Sequence, residues 1–453
     1  MTAQLSSRVA VASTVATTPA VATTLPGSSG ASLSGASTAV RSPRPIPATR
    51  ARQPRLLVVN PAADLYGSDR MLLEAAAGAV ERGWHVAAAL GGDGPLAEAL
   101  TQAGVHVHRI EVPVLRKSDL SPAGLLRLAI GTPAALADMG AFVEAMRPDV
   151  VYVNTVTMPW WLLVARRLRV RSVIHVHEAE AGLPAHLQAA LTAPLRLADT
   201  VVFNSRTSRA VAAAVRGVGA GLTDAPVVLN GLSARAATPP RERLEGGVRL
   251  LYVGRLSQRK GVDVAVEAMR LLRDRGVAAH LEIVGAVFPG YEAFEAGLRA
   301  AIASAGLAST VTLHGFCDDV TDLRAATDIA LVPSIADESF GNVVIESLLA
   351  QRPVVVADQA GLSEAGEGFA SVVGTRAGDA AALADAVTAI ATDWSRRRAW
   401  VVRDAAAAAE RHAPSRYRDE IVAVLAAAPA RASRRALRRR ARAGAIPQES
   451  VSI

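Results

Sequence analysis

The sequence predicts an α/β protein built from two successive parallel sheets. Short apolar runs alternate with helical segments from Arg55 onwards, and strands alternating with helices imply a parallel sheet covered on both faces. The alternation is interrupted once, at residues 233–247, where Thr238-Pro239-Pro240 and Gly246-Gly247 enclose a charged stretch that reads as a domain linker. At 453 residues, 51% of them hydrophobic, the chain is too long for one ordinary domain and apolar enough for two cores.

Composition narrows the function classes. The formal net charge is +8, but residues 1–54 hold five Arg and no acid, and residues 431–453 hold seven Arg and one Glu. After +5 and +6 at the two ends, residues 55–430 carry −3. The basic character belongs to the ends, which argues against a nucleic-acid-binding fold. The single cysteine, Cys317, excludes an intramolecular disulfide and fits a reducing cytoplasm. No apolar run reaches the ~20 residues of a membrane helix. Thr and Ser interrupt Val9 to Thr24, so no secretory signal is expected. Residues 1–54, rich in Ala, Ser, Thr, Val and Pro, read as a disordered leader, or as the product of a start codon assigned too far upstream.

The first series of strands is expected at Arg55–Val59, His85–Leu90, Val105–Val112, Val150–Asn154, Ser172–His177, Thr200–Asn204 and Val227–Asn230. After the first strand, Gly67-Ser68-Asp69 opens a helix with Met71, Leu72, Ala75 and Ala79 on one face. These three residues either cap the helix through Ser68 or Asp69 or approach a phosphate closely. Ligands of such sheets bind beyond the carboxyl ends of the strands. Asn60, Asn154, His177-Glu178, Asn204-Ser205 and Asn230-Gly231 all fall at those ends. Leu120 to Phe142 and Pro159 to Arg169 have the composition of interfacial helices, but the simpler reading is that they face the core.

The second series is expected at Arg249–Val253, His280–Val284, Val311–His314, Ile329–Val332, Pro353–Ala357 and Ser371–Val373. Its first strand runs into Gly254-Arg255-Leu256-Ser257-Gln258-Arg259-Lys260-Gly261, with a helix from Val262. Two cations beside flexible backbone suit a diphosphate, Arg255 as a bidentate fork and Lys260 as a point charge. The fourth strand leads to Glu338-Ser339-Phe340-Gly341-Asn342, with Glu346 about one turn into the next helix. Asn342 suits an N-cap and Gly341 a close backbone approach. Free N–H groups at that helix start can hold a phosphate, and the two carboxylates can accept from sugar or ribose hydroxyls; otherwise both are solvated. Cys317-Asp318-Asp319 reads as a helix cap rather than a metal site, and no cluster has metal-ligand spacing. Asp379–Ala391, Ser395–His412 and Ser415–Ala427 are expected helices, followed by an Arg-rich tail.

These residues resemble the family 4 retaining glycosyltransferases of GT-B fold. The resemblance rests on Gly254-Arg255-Leu256…Lys260-Gly261, His314-Gly315-Phe316 and Glu338-Ser339-Phe340-Gly341 with Glu346 eight positions after the first Glu. Asn204-Ser205, Asn230-Gly231 and Gly361…Glu364 also fit, and the likeness covers roughly residues 55–428. It implies two Rossmann-like domains, 55–240 for the acceptor and 245–412 for the nucleotide-sugar donor, facing a cleft. A helix at 413–428 would pack back on the first domain, with 429–453 as a disordered basic tail. Two departures stand out. Tyr66-Gly67 replaces a frequent Gly-Gly, which bears on packing of the acceptor-side loop, and Ser233 replaces a frequent acidic residue in a turn.

The resemblance further implies that Arg255, Lys260 and Gly67 bind the donor diphosphate. Glu338 would hold hydroxyls of the transferred sugar and Glu346 the nucleotide ribose. Phe340, Gly341 and Asn342 would line sugar and phosphates through backbone N–H groups, and His177, in preference to His175, would sit beside the reacting sugar. The implied reaction moves a sugar from a nucleotide-diphosphate sugar to a glycan or lipid-linked acceptor, with retention, for cell-envelope polysaccharide or glycolipid. No metal or other cofactor is required and no specific nucleic acid is expected. The implied location is the cytoplasm, with peripheral contact to anionic membrane. Two alternatives remain: a nucleotide-sugar epimerase of the same fold, or a membrane- or nucleic-acid-binding protein acting through the Arg tail.

Overall fold

The computed structural model describes residues 52–115, 122–179, 181–234 and 237–427, and side chains throughout these except 122–131. The leader up to residue 51 and the Arg-rich tail from 428 therefore lie outside the described residues.

The first half runs β1 (Arg55–Asn60), α1 (Gly67–Glu81), β2 (His85–Leu90), α2 (Pro95–Gln102), β3 (His106–Arg109), α3 (Pro122–Met146), β4 (Val150–Val153), α4 (Pro159–Leu168), β5 (Arg171–Val176), α5 (Ala185–Thr192), β6 (Thr200–Phe203) and α6 (Arg206–Ala213). The second runs β7 (Val248–Val253), α7 (Val262–Asp274), β8 (Ala279–Val284), α8 (Glu292–Ser304), β9 (Val311–Gly315), α9 (Thr321–Ala326), β10 (Ile329–Val332), α10 (Asn342–Leu349), β11 (Val354–Ala357), α11 (Ala360–Gly366), β12 (Val372–Thr375), α12 (Ala380–Thr392), α13 (Trp394–Arg411) and α14 (Pro414–Ala427).

Each half holds one six-stranded parallel sheet, ordered β3-β2-β1-β4-β5-β6 and β12-β11-β10-β7-β8-β9. Relabelled from its own first strand, the second order is the same as the first, the doubly wound Rossmann arrangement. Central strands such as Leu56–Val59 and Val150–Val153 are continuous apolar runs because both faces are covered, and all eight residues are buried. The order reverses between β1 and β4 and between β7 and β10, which puts the loops after these four strands at the two switch points. α4, considered above as a membrane-surface element, instead buries Trp161, Leu162, Val164 and Ala165 against the first sheet. Among the described residues no helix is long and apolar enough to cross a membrane.

The expected strand Val227–Asn230 is reduced to one bridge, Phe203 with Val227. Beyond it the chain is drawn to the end of the molecule: Leu232 N–H donates to the His412 carbonyl at 2.8 Å, and Gly231 lies so close to Tyr417 that an added Cβ would stand 2.6 Å from its Cβ. The linker is pinned to the second half, where Arg241 donates to both carboxylate oxygens of the buried Asp328. After α13 the chain returns to the first half. α14 lies on α1, with the Tyr417 hydroxyl donating to the Met71 carbonyl at 2.9 Å and Arg418 paired with Glu74 at 2.6 Å and with Glu81. Ile421, Val422 and Leu425 are buried in the core that contains α1.

Tyr417 is 1% exposed, so Tyr417→Ala should cost about 3–5 kcal/mol, whereas Tyr417→Phe, which loses the bond to Met71 and the hydroxyl contact with Tyr152, should cost about 1–2 kcal/mol. Urea unfolding of both variants checks this; equal losses would show that the hydroxyl, not the packed ring, holds α14 in place.

Candidate active site in the cleft between the sheets

A cavity of about 410 Å³ lies where the carboxyl edges of the two sheets face each other. From the second half, the loop after β7 supplies Arg255 and Lys260, and the loop after β10 supplies Ser334, Glu338, Ser339 and Phe340, continuing into Gly341 and Asn342. From the first half come Gly67 and Ser68 after β1, His177 and Glu178 after β5, and Asn204 after β6. Of the nine residues singled out from the sequence, eight line this space. Glu346 does not; it points from α10 to Arg324, whose Nη2 donates to Oε2 at 2.9 Å.

The two loops of the second half are held together through backbone. Gly261 starts α7 with φ +66°, and an added Cβ would lie 1.9 Å from the Pro333 carbonyl oxygen. The N–H groups of Ile335 and Ala336 donate to the Arg259 carbonyl at 2.8 and 3.2 Å. This approach brings Lys260 Nζ to Glu338 Oε1 at 2.5 Å, and Ser334 Oγ donates to the same oxygen at 2.9 Å. Arg255 is exposed and stacks on the Phe288 ring, its Cζ 3.4 Å from the centroid.

At the start of α10 the structure corrects one expectation. The N-cap is Gly341, not Asn342, because the chain turns there with φ +110° and a Cβ would meet Leu362 Cδ2 at 2.6 Å. Asn342 is the first helical residue and its Oδ1 accepts from Asn230 Nδ2 at 2.7 Å. Gly67 faces Asn342 across the cleft, where a Cβ would stand 2.9 Å from Nδ2. Phe340 is 2% exposed and packs 5.6 Å from the His412 ring, so only its backbone can face the cavity. At the start of α1, Asp69 caps by accepting from Tyr66 N–H at 3.0 Å and from Asn60 Nδ2 at 2.8 Å.

His177 sits in a defined tautomer. Asn154 donates its amide nitrogen to Asn60 Oδ1 and to the Ser68 carbonyl, which leaves Asn154 Oδ1 as an acceptor 3.0 Å from His177 Nε2. Nε2 therefore carries the proton. Desolvation pushes the His177 pKa down to about 3, so Nδ1 keeps its lone pair at neutral pH. His175 lies behind it, ring centroids 4.1 Å apart, fully buried and 2.7 Å from the Tyr152 hydroxyl. Burial raises the Glu178 pKa, while its oxygens accept from Thr155 Oγ1 at 2.6 Å and from His177 N–H at 2.9 Å.

The sequence did not single out Ser334, Tyr252, Arg324 or Phe288. Tyr252 lines the cavity and donates to the Arg255 carbonyl at 2.9 Å. Tyr252 is the penultimate residue of β7, the strand that leads into an already suspect loop, which was a readable signal; Arg324 and Phe288 lie far off in sequence and gave none. Contacts between the halves also close the cleft. Ser205 Oγ donates to the Ser339 carbonyl at 2.5 Å, and Gly182 N–H donates to Asp337 at 2.9 Å. Glu364, expected only as part of a sequence pattern, accepts from the Arg206 and Thr207 N–H groups at 2.8 Å each and so caps α6 from the other half. Among the described residues no group of three His, Cys, Asp or Glu is placed to hold a metal ion.

Comparison with known proteins agrees with this architecture. Residues 247–393 match the family described as glycosyl transferases group 1, and residues 67–225 match the glycosyl transferase 4-like domain. The amylovoran biosynthesis glycosyltransferase AmsK of Erwinia amylovora is 34% identical over 151 residues, which is 32% of this chain and 36% of AmsK. The match thus spans only about a third of that relative. The 2-deoxystreptamine glucosyltransferase of Streptomyces kanamyceticus is 27% identical over 286 residues, covering 57% of this chain and 72% of the relative. Among solved structures, HepE of Anabaena in complex with UDP and glucose superposes with a TM-score of 0.69 at 22% identity, covering 83% of this chain and 100% of HepE. At that identity the likeness shows the fold alone, the two-domain GT-B arrangement.

The depressed histidines set the sign of a pH effect. His177 falls to about 3 and His412 to about 4, both below the unfolded value of roughly 6.5. Their stabilising neutrality is complete above that value and is lost as pH falls towards 3–4, by up to ~1.4 kcal/mol per pH unit for each histidine. Imidazole NMR of the folded protein should show both rings unprotonated from pH 8 down to 5; a His177 midpoint near 6.5 would contradict the neutral ring.

Proposed function

Because this chain belongs to the group 1 glycosyltransferases, we propose that it moves a sugar from a nucleotide-diphosphate sugar to a glycan or lipid-linked acceptor, in cell-envelope polysaccharide or glycolipid synthesis. The observation that carries this reading is the meeting of Arg255, Lys260, Glu338 and the start of α10 in one cavity, opposite Gly67 and His177. A nucleotide diphosphate leaves readily when its growing charge is stabilised. Arg255, Lys260 and the free N–H groups at Gly341 and Asn342 supply that stabilisation without a metal. Lys260 sits between two partners, since the ammonium that pairs with Glu338 also faces the cavity where the phosphates would lie.

Glu338 is the group that would accept from hydroxyls of the transferred sugar, and His177, with a bare Nδ1, would accept from another. Glu346, oriented by Arg324, would take the ribose. The reacting carbon becomes oxocarbenium-like as the diphosphate departs. Retention, by attack from the face the diphosphate leaves, is the stereochemistry that the family resemblance favours. UDP, held by HepE, is the first nucleotide to test, and amylovoran biosynthesis is the process for which AmsK is named. The proposed place of action is the cytoplasm or the inner membrane surface.

Thermal unfolding of the protein with UDP-, GDP-, ADP- and TDP-sugars tests the donor site. A ligand at ~100 times its dissociation constant adds roughly 2.7 kcal/mol, and one nucleotide class should stand out. Glu338→Ala should lower transfer by about three orders of magnitude in a folded protein; near-normal turnover would remove Glu338 from the sugar site. The double change Arg255→Ala and Lys260→Ala should weaken nucleotide-diphosphate binding about 100-fold, and unchanged affinity by calorimetry would remove the phosphate role. Deleting residues 431–453 should leave transfer intact, whereas a protein working through its Arg tail would lose its activity.

A further inference from the structure

A second cavity, about 170 Å³, lies in the first half beside the carboxyl edge of its sheet. Glu178 borders both this space and the cleft. The walls are Val114, Val156, Leu191, Val211, Ala212 and Val215, from the segment after β3, the loop after β4, α5, and α6 with the turn that follows it. The Leu115 N–H donates to the Thr157 carbonyl at 2.8 Å and joins two of these walls.

Five polar residues also border the space, and each has a polar atom engaged elsewhere. Thr192 Oγ1 donates to the Gln188 carbonyl at 2.6 Å. Gln188 Nε2 donates to the carbonyls of Ala181 and Leu183 at 2.7 and 2.9 Å. Ser208 Oγ donates to Asn204 Oδ1 at 2.8 Å, and Thr157 Oγ1 lies 3.0 Å from Thr155 Oγ1. Glu178 is held by Thr155 and by the His177 N–H. The lining that remains is almost wholly hydrocarbon. The volume equals about five or six waters at roughly 30 Å³ each, but a buried water wants about two to four polar partners, and these walls do not provide them. Sugar hydroxyls would fare no better, since each would lose its hydration without a replacement.

We propose that this pocket takes the hydrocarbon part of a lipid-linked acceptor, a prenyl or acyl chain attached close to the hydroxyl that attacks the donor. The assignment rests on the glycosyltransferase reading above and chooses between its two acceptor classes. His177 and Glu178 are adjacent residues, so a hydroxyl placed beside His177 sits at the edge of the pocket, and a chain joined near it has an apolar wall to enter. A wholly polar glycan has no use for that wall.

The test uses the full chain with UDP and a series of n-alkyl glucosides, methyl, butyl and hexyl, in which the sugar is only a soluble handle. Calorimetry gives the affinity of each probe and, separately, of UDP. Each buried methylene should tighten binding about three- to four-fold, so hexyl, with five more methylenes, should exceed methyl by roughly 200- to 1,000-fold. Ala212→Phe, and independently Val211→Phe, fill the pocket and should abolish the chain-length effect while leaving UDP affinity unchanged. Affinity that does not vary with chain length would overturn the proposal, as would a gain that survives in a filled variant whose UDP binding is intact. Absence of UDP binding with the chain-length effect preserved would instead overturn the donor-site reading, and the acceptor assignment with it.

Discussion

The carbonyl of Pro333 leaves no room for a side chain on Gly261, and the second half of the site depends on that approach. With φ +66° and a carbonyl 1.9 Å from where a Cβ would stand, this position accepts glycine alone without displacement of backbone. The two switch-point loops lie so close that the Arg259 carbonyl accepts from both Ile335 and Ala336. A cation on one loop then reaches a carboxylate on the other, and the Lys260–Glu338 pair follows from backbone packing, not from side-chain reach alone. Gly361 repeats the device one layer out, where a Cβ would lie 2.0 Å from the Glu338 carbonyl oxygen, so the loop that carries Glu338 is confined from both sides.

The two halves meet through contacts of two kinds. Some are polar: Glu364 on the start of α6, Ser205 on the Ser339 carbonyl, Asn230 on Asn342. Each such bond is exchanged for one with water when the halves part, so its net contribution is modest, about 0.5–1.5 kcal/mol. Others are apolar: α14 is seated by Tyr417, Ile421 and Leu425, which are buried and would have to be rehydrated. Polar contacts that exchange readily with water, beside an apolar seat that does not, suit a cleft that admits substrate and then excludes water.

Much of the fold was legible because strands of a doubly covered parallel sheet are continuous apolar runs, and Ile329–Val332 and His85–Leu90 stand where the runs predict. The site was legible for a topological reason: polar residues that follow the strands of one sheet share an edge, so Arg255, Lys260 and Glu338 had to converge once the alternation was recognised. What failed was long-range. Val227–Asn230 has the pattern of a strand, but contacts of Gly231 and Leu232 with the end of the chain, some 180 residues later, pull it from the sheet. The shift of the N-cap from Asn342 to Gly341 reflects the packing of Leu362, invisible to any local rule. Partners such as Arg324 for Glu346 depend on side-chain rotamers across elements, and the apolar pocket beside Glu178 is assembled from several separate segments with no shared motif.

The path of α14 has a consequence for how proteins of this design can be recombined. The helix follows the second sheet in the chain but is built into the first half, with Tyr417 under α1 and Arg418 across Glu74 and Glu81. The boundaries of heredity and of packing therefore differ. A crossover at the linker that exchanged the first sheet between two such proteins would separate α1 from the helix fitted to it, leaving a foreign Tyr417 against an unmatched surface. A working chimaera must carry both ends of the chain from one parent and the middle from the other, so the inheritable module is split in two around its partner.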